Sequence, residues 1–194
     1  MHQTPYVHRM FRDVFTGIDT RQKKAIPINE LHTLLNEDPQ SDKLRRTQAI
    51  ANLLFLFCGM PFVDLAYLEK SNLEGNMLKY NRAKTGIPMN VEILDSAATI
   101  ISQLRNKHTT VLPEHPDYLF YILSGKNKRS DEAGYKEYQS ALRCFNNDLK
   151  SLARKLCIRS SVTSYTFRHS WATTAKYRGC LLYTSPSPRD RSVS

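Results

Sequence analysis

Apolar residues recur at helical spacing in several stretches of this chain, and proline or glycine separates the stretches. The first stretch follows Pro27 and ends at Pro39. It places three leucines on one face: Leu31, Leu34 and Leu35. The second runs from Asp42 to Phe57, with Ser41 in position to cap its first turn. Its apolar residues are Leu44, Ile50, Leu53, Leu54 and Phe57. The pattern predicts two amphipathic helices that share one core.

The segments after the second helix no longer repeat their apolar residues at helical spacing throughout. Gly59 closes the second helix, and Pro61 suits the start of a short helix in PFVDLAYL. Two strand-like runs on either side of Lys84-Thr85-Gly86 predict a β-hairpin. Asp95 is placed to cap a helix that continues to Arg105.

The C-terminal half is predicted to be mainly helical. YLFYIL (118–123) reads as a short strand or a buried helix turn, and GKNKRSDEAG (125–134) as a polar loop. A long helix is expected from about Tyr135 to Leu156, and another opens at Thr163 or Ser164 and stops at Gly179. The fold class is therefore α+β, mostly helical, with a small antiparallel hairpin sheet.

The charge balance adds an expected class of partner to this outline. Lys and Arg number 28 against 18 Asp and Glu, which gives a net charge of +10 and favours a polyanion. A solvated, lysine-rich surface is the simpler alternative. A membrane surface is disfavoured, because the basic residues are spread over several segments. Four scattered cysteines, no long apolar run and no signal-peptide pattern favour a cytoplasmic protein without disulfides or bound zinc.

Three short segments carry candidate chemistry. Arg168 and His169 lie near the start of a helix, where backbone N–H groups and the helix dipole favour an anion. Lys84 lies at the hairpin tip, flanked by Arg82 and Gly86. FCGMPFVDLAYL (57–68) forms a corner between helices. Taken singly, each has an ordinary structural explanation: an exposed cation, a histidine at the edge of the core, or aromatic core residues.

In combination the three segments resemble a known family. CGMPFVDLAYL, then YNRAKTG, then TSYTFRHSWAT, in that order, is similar to the catalytic domain of tyrosine recombinases, the phage-integrase family, and especially to integrases of mobile elements. The resemblance extends from about Arg21 to Gly179. Its most specific part is the run from Arg168 to Thr173.

The resemblance implies a reaction and a role for each matched residue. In this family a tyrosine attacks a DNA phosphodiester, forming a 3′-phosphotyrosyl link and a free 5′-hydroxyl, with no metal or other cofactor. Arg168 matches the second of two arginines that stabilise the transition state, and Lys84 matches the lysine that protonates the departing 5′-oxygen. Tyr165 stands where the family has its motif histidine, and His169 is expected to play a supporting role.

Two family elements have no match. The position of the first arginine holds Pro61, or Cys58 by the pattern of a variant branch, so neither supplies a guanidinium. Arg82 is a speculative substitute. After Arg168 no Gly-His pair and no suitably placed tyrosine follow, since Tyr177 and Tyr183 come too early. Weak or absent cleavage is therefore expected of this chain.

The ends of the chain are interpreted separately. Residues 1–20 read as the remnant of an N-terminal core-binding domain and its linker, and 21–179 as the C-terminally truncated catalytic domain. Residues 180–194 read as an artefactual tail. Arg21, Lys23 and Lys24 are placed to meet DNA phosphates, together with Arg82.

The expected partner is double-stranded DNA, and the intact protein is expected to act as a homo-oligomer, a synaptic tetramer. Two alternatives stay open. One is a DNA-binding module of the same fold without catalysis, and the other is a basic helical domain that binds proteins.

Overall fold

The computed structural model describes residues 25–105, 117–127 and 129–177. Within these ranges six α-helices and a three-stranded antiparallel sheet form the α+β architecture that the periodicity predicts. The helices are α1 (Ile28–Asn36), α2 (Asp42–Leu56), α3 (Phe62–Ala66), α4 (Asp95–Leu104), α5 (Glu132–Lys155) and α6 (Thr166–Tyr177). The strands are β1 (Leu73–Glu74), β2 (Met77–Asn81) and β3 (Pro88–Glu92), and a single 3₁₀ turn, Lys70–Asn72, precedes β1.

Helix α2 lies at the centre of the helical part. It packs against α1, α4, α5 and α6, because its apolar residues face more than one neighbour. Leu53 and Leu54 are fully buried, and the predicted core positions Leu31 and Leu34 of α1 are buried as well. Burial of this apolar surface is the main force that holds the helices together.

Helix α5 packs on α3 through aromatic rings. Phe62 of α3 stacks on Phe145 of α5, with 4.7 Å between the ring centroids and 14° between the planes. Tyr138, two turns earlier on α5, lies 6.3 Å from Phe62 and 5.7 Å from Tyr67. These contacts fix the corner after α2 against the longest helix of the described chain.

The sheet contains the predicted hairpin and one strand that was not predicted. Strands β2 and β3 pair in register, with Leu78 opposite Val91, and both side chains face the core. Strand β1 pairs with β2 through Leu73 and Glu74 alone. Two residues are too few to show an alternating pattern, so periodicity could not predict this strand.

Several local predictions were wrong. YLFYIL forms neither a strand nor a helix: Tyr118 and Phe120 make isolated bridges to Glu69 and Arg105, and the segment then turns. The segment is apolar because most of its side chains are buried in the core, and not because it forms a regular element.

The predicted helix ends also need correction. Ser41 occupies the N-cap position of α2, but its side chain makes no capping hydrogen bond. Asp95 is the first residue of α4 and follows the N-cap, Leu94. Helix α5 begins at Glu132, three residues before the prediction, and α6 begins at Thr166. Helix ends depend on cap contacts that the apolar pattern does not encode.

Candidate functional site

The end of α2 and the start of α6 approach each other closely at Gly59. Cys58 and Gly59 both have positive φ, at 57° and 68°, and so turn the chain sharply after α2. A Cβ atom on Gly59 would lie 3.0 Å from the Cα of Arg168 and 3.3 Å from the Cβ of Trp171. Glycine is therefore favoured here by the backbone conformation and required by the close approach of the neighbouring helix.

Arg168 lies half-buried in the first turn of α6, against this corner. Its Nη1 donates a 3.1 Å hydrogen bond to the carbonyl oxygen of Gly59. Burial, followed by the nearby charge of Arg82, lowers the pKa of the Arg168 guanidinium, which still remains a cation at neutral pH. No carboxylate of the described ranges forms an ion pair with it.

Asp64 of α3 connects the corner to the hairpin. Its Oδ1 accepts a 2.9 Å hydrogen bond from the backbone N–H of Ala83, while Oδ2 is buried without a hydrogen-bond partner among the described residues. The carboxyl group is 5% exposed, and burial raises its pKa; the Ala83 bond and the charges of Arg82, Arg129 and Arg168 act in the opposite direction. Sequence reasoning missed Asp64, although a lone acidic residue in an otherwise apolar short helix was the available signal.

The hairpin tip carries Lys84 and Arg82. The backbone N–H of Arg82 donates to the carbonyl of Ile87 at 2.9 Å, and that of Gly86 donates to the carbonyl of Arg82 at 2.8 Å, which closes the turn. Arg82 is half-buried and Lys84 is exposed. Because Ala83 is bonded to Asp64, the tip that carries both cations lies against the same corner as Arg168.

Cys58 and Tyr80 line this region without adding positive charge. Cys58 is an exposed residue, but partial desolvation of its thiol raises the thiol pKa, so the group stays neutral at pH 7. Burial, and next the charge of Asp64, raises the pKa of Tyr80 to about 12. Sequence reasoning also missed Tyr80, because its place on a strand gave no sign of which residues it would face.

Tyr165 and His169 lie one helical turn apart beside Arg168. Their rings meet edge to face, with 4.7 Å between centroids and 75° between planes. Tyr165 is exposed. Nε2 of the half-buried His169 has no hydrogen-bond partner within the described part of the chain.

A cavity of about 220 Å³ opens next to Asp64, between α3 and the start of the hairpin. Arg129 borders it, and its guanidinium carbon lies 4.7 Å from the centre of the Tyr67 ring. The lining residues are Asp64, Tyr67, Leu68, Glu69, Asn72, Tyr80, Asn81 and Arg129. Across the described ranges, no group of three or more His, Cys, Asp or Glu side chains is arranged to hold a metal ion.

Some predicted site residues lie outside this description. Arg21, Lys23 and Lys24, the segments 1–20 and 180–194, and Tyr183 all fall beyond the described residues. The structure does not test those predictions, and they remain predictions. Among residues 25–105, 117–127 and 129–177, no helix is long and apolar enough to cross a membrane.

Comparison with known proteins identifies the fold. XerA recombinase, a crystal structure, is 22% identical with a TM-score of 0.55 over 80% of this chain and 52% of that one. The Tn1549 transposon integrase (residues 82–397), solved in complex with circular intermediate DNA, is 13% identical with a TM-score of 0.50 over 89% of this chain and 56% of that one.

The chain therefore has the tyrosine recombinase catalytic-domain fold, as the sequence resemblance predicted, and spans about half the length of these two structures. No family model matches the sequence, and no curated protein matches it.

Proposed function

We propose that this chain binds duplex DNA through a phosphate site centred on Arg168, as the catalytic-domain part of a site-specific recombinase or integrase. The single observation that carries the proposal is the half-buried guanidinium of Arg168, held by the Gly59 carbonyl with no carboxylate partner among the described residues. A desolvated cation without a counterion favours an anion beside it. The fold and the net charge of +10 support DNA as the source of that anion.

The neighbouring side chains suit the handling of a phosphodiester. Arg168 would bind the non-bridging oxygens, and Tyr165 could donate its hydroxyl proton to one of them. Lys84, an exposed ammonium at the hairpin tip, would give a proton to the 5′-oxygen as it leaves phosphorus. In the intact protein a tyrosine hydroxyl would lose its proton to solvent, and its oxygen would form the new bond to phosphorus as the bond to that 5′-oxygen breaks. The 3′-phosphotyrosyl link would conserve the energy of the phosphodiester.

Cys58 favours a second candidate, a DNA-binding module of this fold that does not cleave. A neutral thiol at the position of the first arginine cannot offset the charge of a phosphorane-like transition state. Loss of one donor of this kind reduces the rate by about 10²–10³-fold. We therefore expect this chain to occupy DNA and to cut it weakly or not at all.

DNA binding is tested with a fluorescent 30-base-pair duplex titrated over a salt series. Affinity should fall steeply as salt rises, and Arg168→Gln should weaken binding roughly tenfold at fixed salt. Arg45→Gln is the matched control, because Arg45 lies in the first turn of α2, about 20 Å along that helix from the corner, and is already paired with Asp38 and Asp42. Absent or salt-independent binding would instead favour the protein-binding alternative.

Cleavage is tested separately with a nicked suicide substrate that traps a covalent protein–DNA adduct. No adduct is expected from this chain. An adduct would show that Cys58 is tolerated and that a tyrosine within these 194 residues can attack.

A further inference from the structure

Arg82 and Arg168 are held on the two sides of the corner that joins α2 to α3. Arg168 is bonded to the corner at Gly59, and the residue after Arg82, Ala83, is bonded to it at Asp64, five residues further along. The two hydrogen bonds are 3.1 and 2.9 Å long. A segment of this length, half of it helical, keeps its two attachment points close together, so the hairpin turn that carries Arg82 and the guanidinium of Arg168 are held at the same corner.

The electrostatics of the two arginines agree with this placement. After burial, the charge of Arg82 is the largest influence that lowers the pKa of Arg168, which means that the two cations repel each other. Both are half-buried, and neither forms an ion pair with a carboxylate of the described ranges. Asp64 is a shared counter-charge, but its oxygens bond to neither guanidinium. An anion between the two guanidiniums would relieve their repulsion.

We propose that Arg82 supplies the guanidinium that is absent at Cys58, and that Arg82 and Arg168 together grip one backbone phosphate of bound DNA. This inference rests on the proposed function, since it names the second cation of the same phosphate site. It also assigns Arg82 a different task from Lys84, two residues along the turn. The arginine binds non-bridging oxygens through its planar fork, whereas the lysine acts on the leaving oxygen.

Two other cations near the corner are less suited to this role. The Arg129 guanidinium lies over the Tyr67 ring, 4.7 Å from its centre, and lines the cavity that Glu69 also lines. Its charge acts on Asp64, where it helps to lower the pKa of that carboxyl. Lys84 is exposed, so its ammonium is hydrated and lacks the partial burial that Arg82 and Arg168 share.

The test is a double-mutant cycle on duplex binding by the whole chain. Arg82→Gln, Arg168→Gln and the double variant are titrated with the 30-base-pair duplex at one salt concentration, with Arg45→Gln as the control and circular dichroism as the check on folding. Each single variant should bind roughly tenfold more weakly. The double variant should lose much less than the hundredfold product, because both side chains act on one phosphate.

A rescue experiment adds a second readout. Cys58→Arg should restore affinity to the Arg82→Gln variant but not to the Arg168→Gln variant, because only the former lacks the cation that Cys58→Arg replaces. The backbone at residue 58 has a φ of 57°, so arginine there keeps the turn that cysteine already adopts.

The outcomes separate this inference from the proposed function. If Arg168→Gln weakens binding and Arg82→Gln behaves like Arg45→Gln, the role of Arg82 is overturned and the proposed function stands. If the two single losses multiply in the double variant, Arg82 contacts a different phosphate and the shared grip is overturned. If neither single variant differs from the control, the phosphate site itself is overturned.

Discussion

The backbone N–H of Ala83 donates a 2.9 Å hydrogen bond to Oδ1 of Asp64, and this bond joins the hairpin tip to helix α3. Nineteen positions separate the two residues along the chain. The same short corner also accepts the hydrogen bond from Arg168 at Gly59. One buried carboxylate and one carbonyl oxygen thus bring a hairpin and a distant helix to the same place.

Asp64→Ala should destabilise the fold by about 1–3 kcal/mol, because it removes a buried acceptor and leaves the Ala83 N–H without this partner. Asp64→Asn should cost less, since the amide oxygen can still accept that bond. Urea unfolding followed by circular dichroism measures both values. The interpretation fails if the alanine variant is as stable as the wild type.

The stability contributed by Asp64 should depend on pH. Burial raises the pKa of this carboxyl above the ordinary value of 3.8, so the folded state retains its proton to higher pH than the unfolded state does. The contribution is complete below the unfolded pKa and is lost as pH rises through the raised folded pKa. The free energy of unfolding of the wild type, relative to Asp64→Asn, should therefore decrease as the pH rises above about 4. A difference that is flat or increases over this range would contradict the assignment.

Gly59→Ala should destabilise the fold by roughly 2–3 kcal/mol. The added methyl group would contact the backbone of Arg168, and residue 59 has a left-handed conformation that alanine adopts only with strain. Gly75→Ala is the matched control. Gly75 also has a positive φ, 58°, but a Cβ there would have no neighbour within 4 Å. It should cost only about 1 kcal/mol of backbone strain. Equal losses in urea unfolding would mean that the approach of α6 to the corner is not tight.

Phe145→Ala should cost about 3–5 kcal/mol, because it removes a buried ring that stacks on Phe62 and leaves a cavity between α3 and α5. Tyr135→Ala, on the same helix but 59% exposed, should change stability by less than about 0.5 kcal/mol. Thermal and urea unfolding of the two variants measure the contrast. Similar values for both would show that the stack does not hold the corner.

Local patterns were sufficient for most of the fold. Leu31, Leu34 and the apolar residues of α2 repeat at a period that only a helix satisfies, and the hairpin follows from two strand-like runs around a Gly-containing turn. Prediction was wrong where the local structure depends on contacts between distant residues and not on the periodicity of the sequence. Tyr118 and Phe120 are buried, and their backbones make isolated bridges to residues far away in the chain. Strand β1 is defined only by its pairing with β2.

The candidate site divides in the same way. Arg168, Lys84, Tyr165 and His169 stand out because their residue types and their order along the chain match a known arrangement. Asp64 and Tyr80 do not, since their importance lies in which charges surround them after folding.

The sequence by itself determined the helical periods, the hairpin, the excess of positive charge and the order of the basic motifs. The helical periods and the hairpin depend on residues close together in the chain, and the charge excess and the motif order are read directly from the whole sequence. Only the tertiary structure decided that Gly59 touches Arg168, that Asp64 holds the hairpin tip, and that Arg82 comes within electrostatic range of Arg168. Those relationships join residues 19 to 109 positions apart. They arise when burial of the core packs α2 against α6 and α3 against α5, and no local pattern encodes such distances.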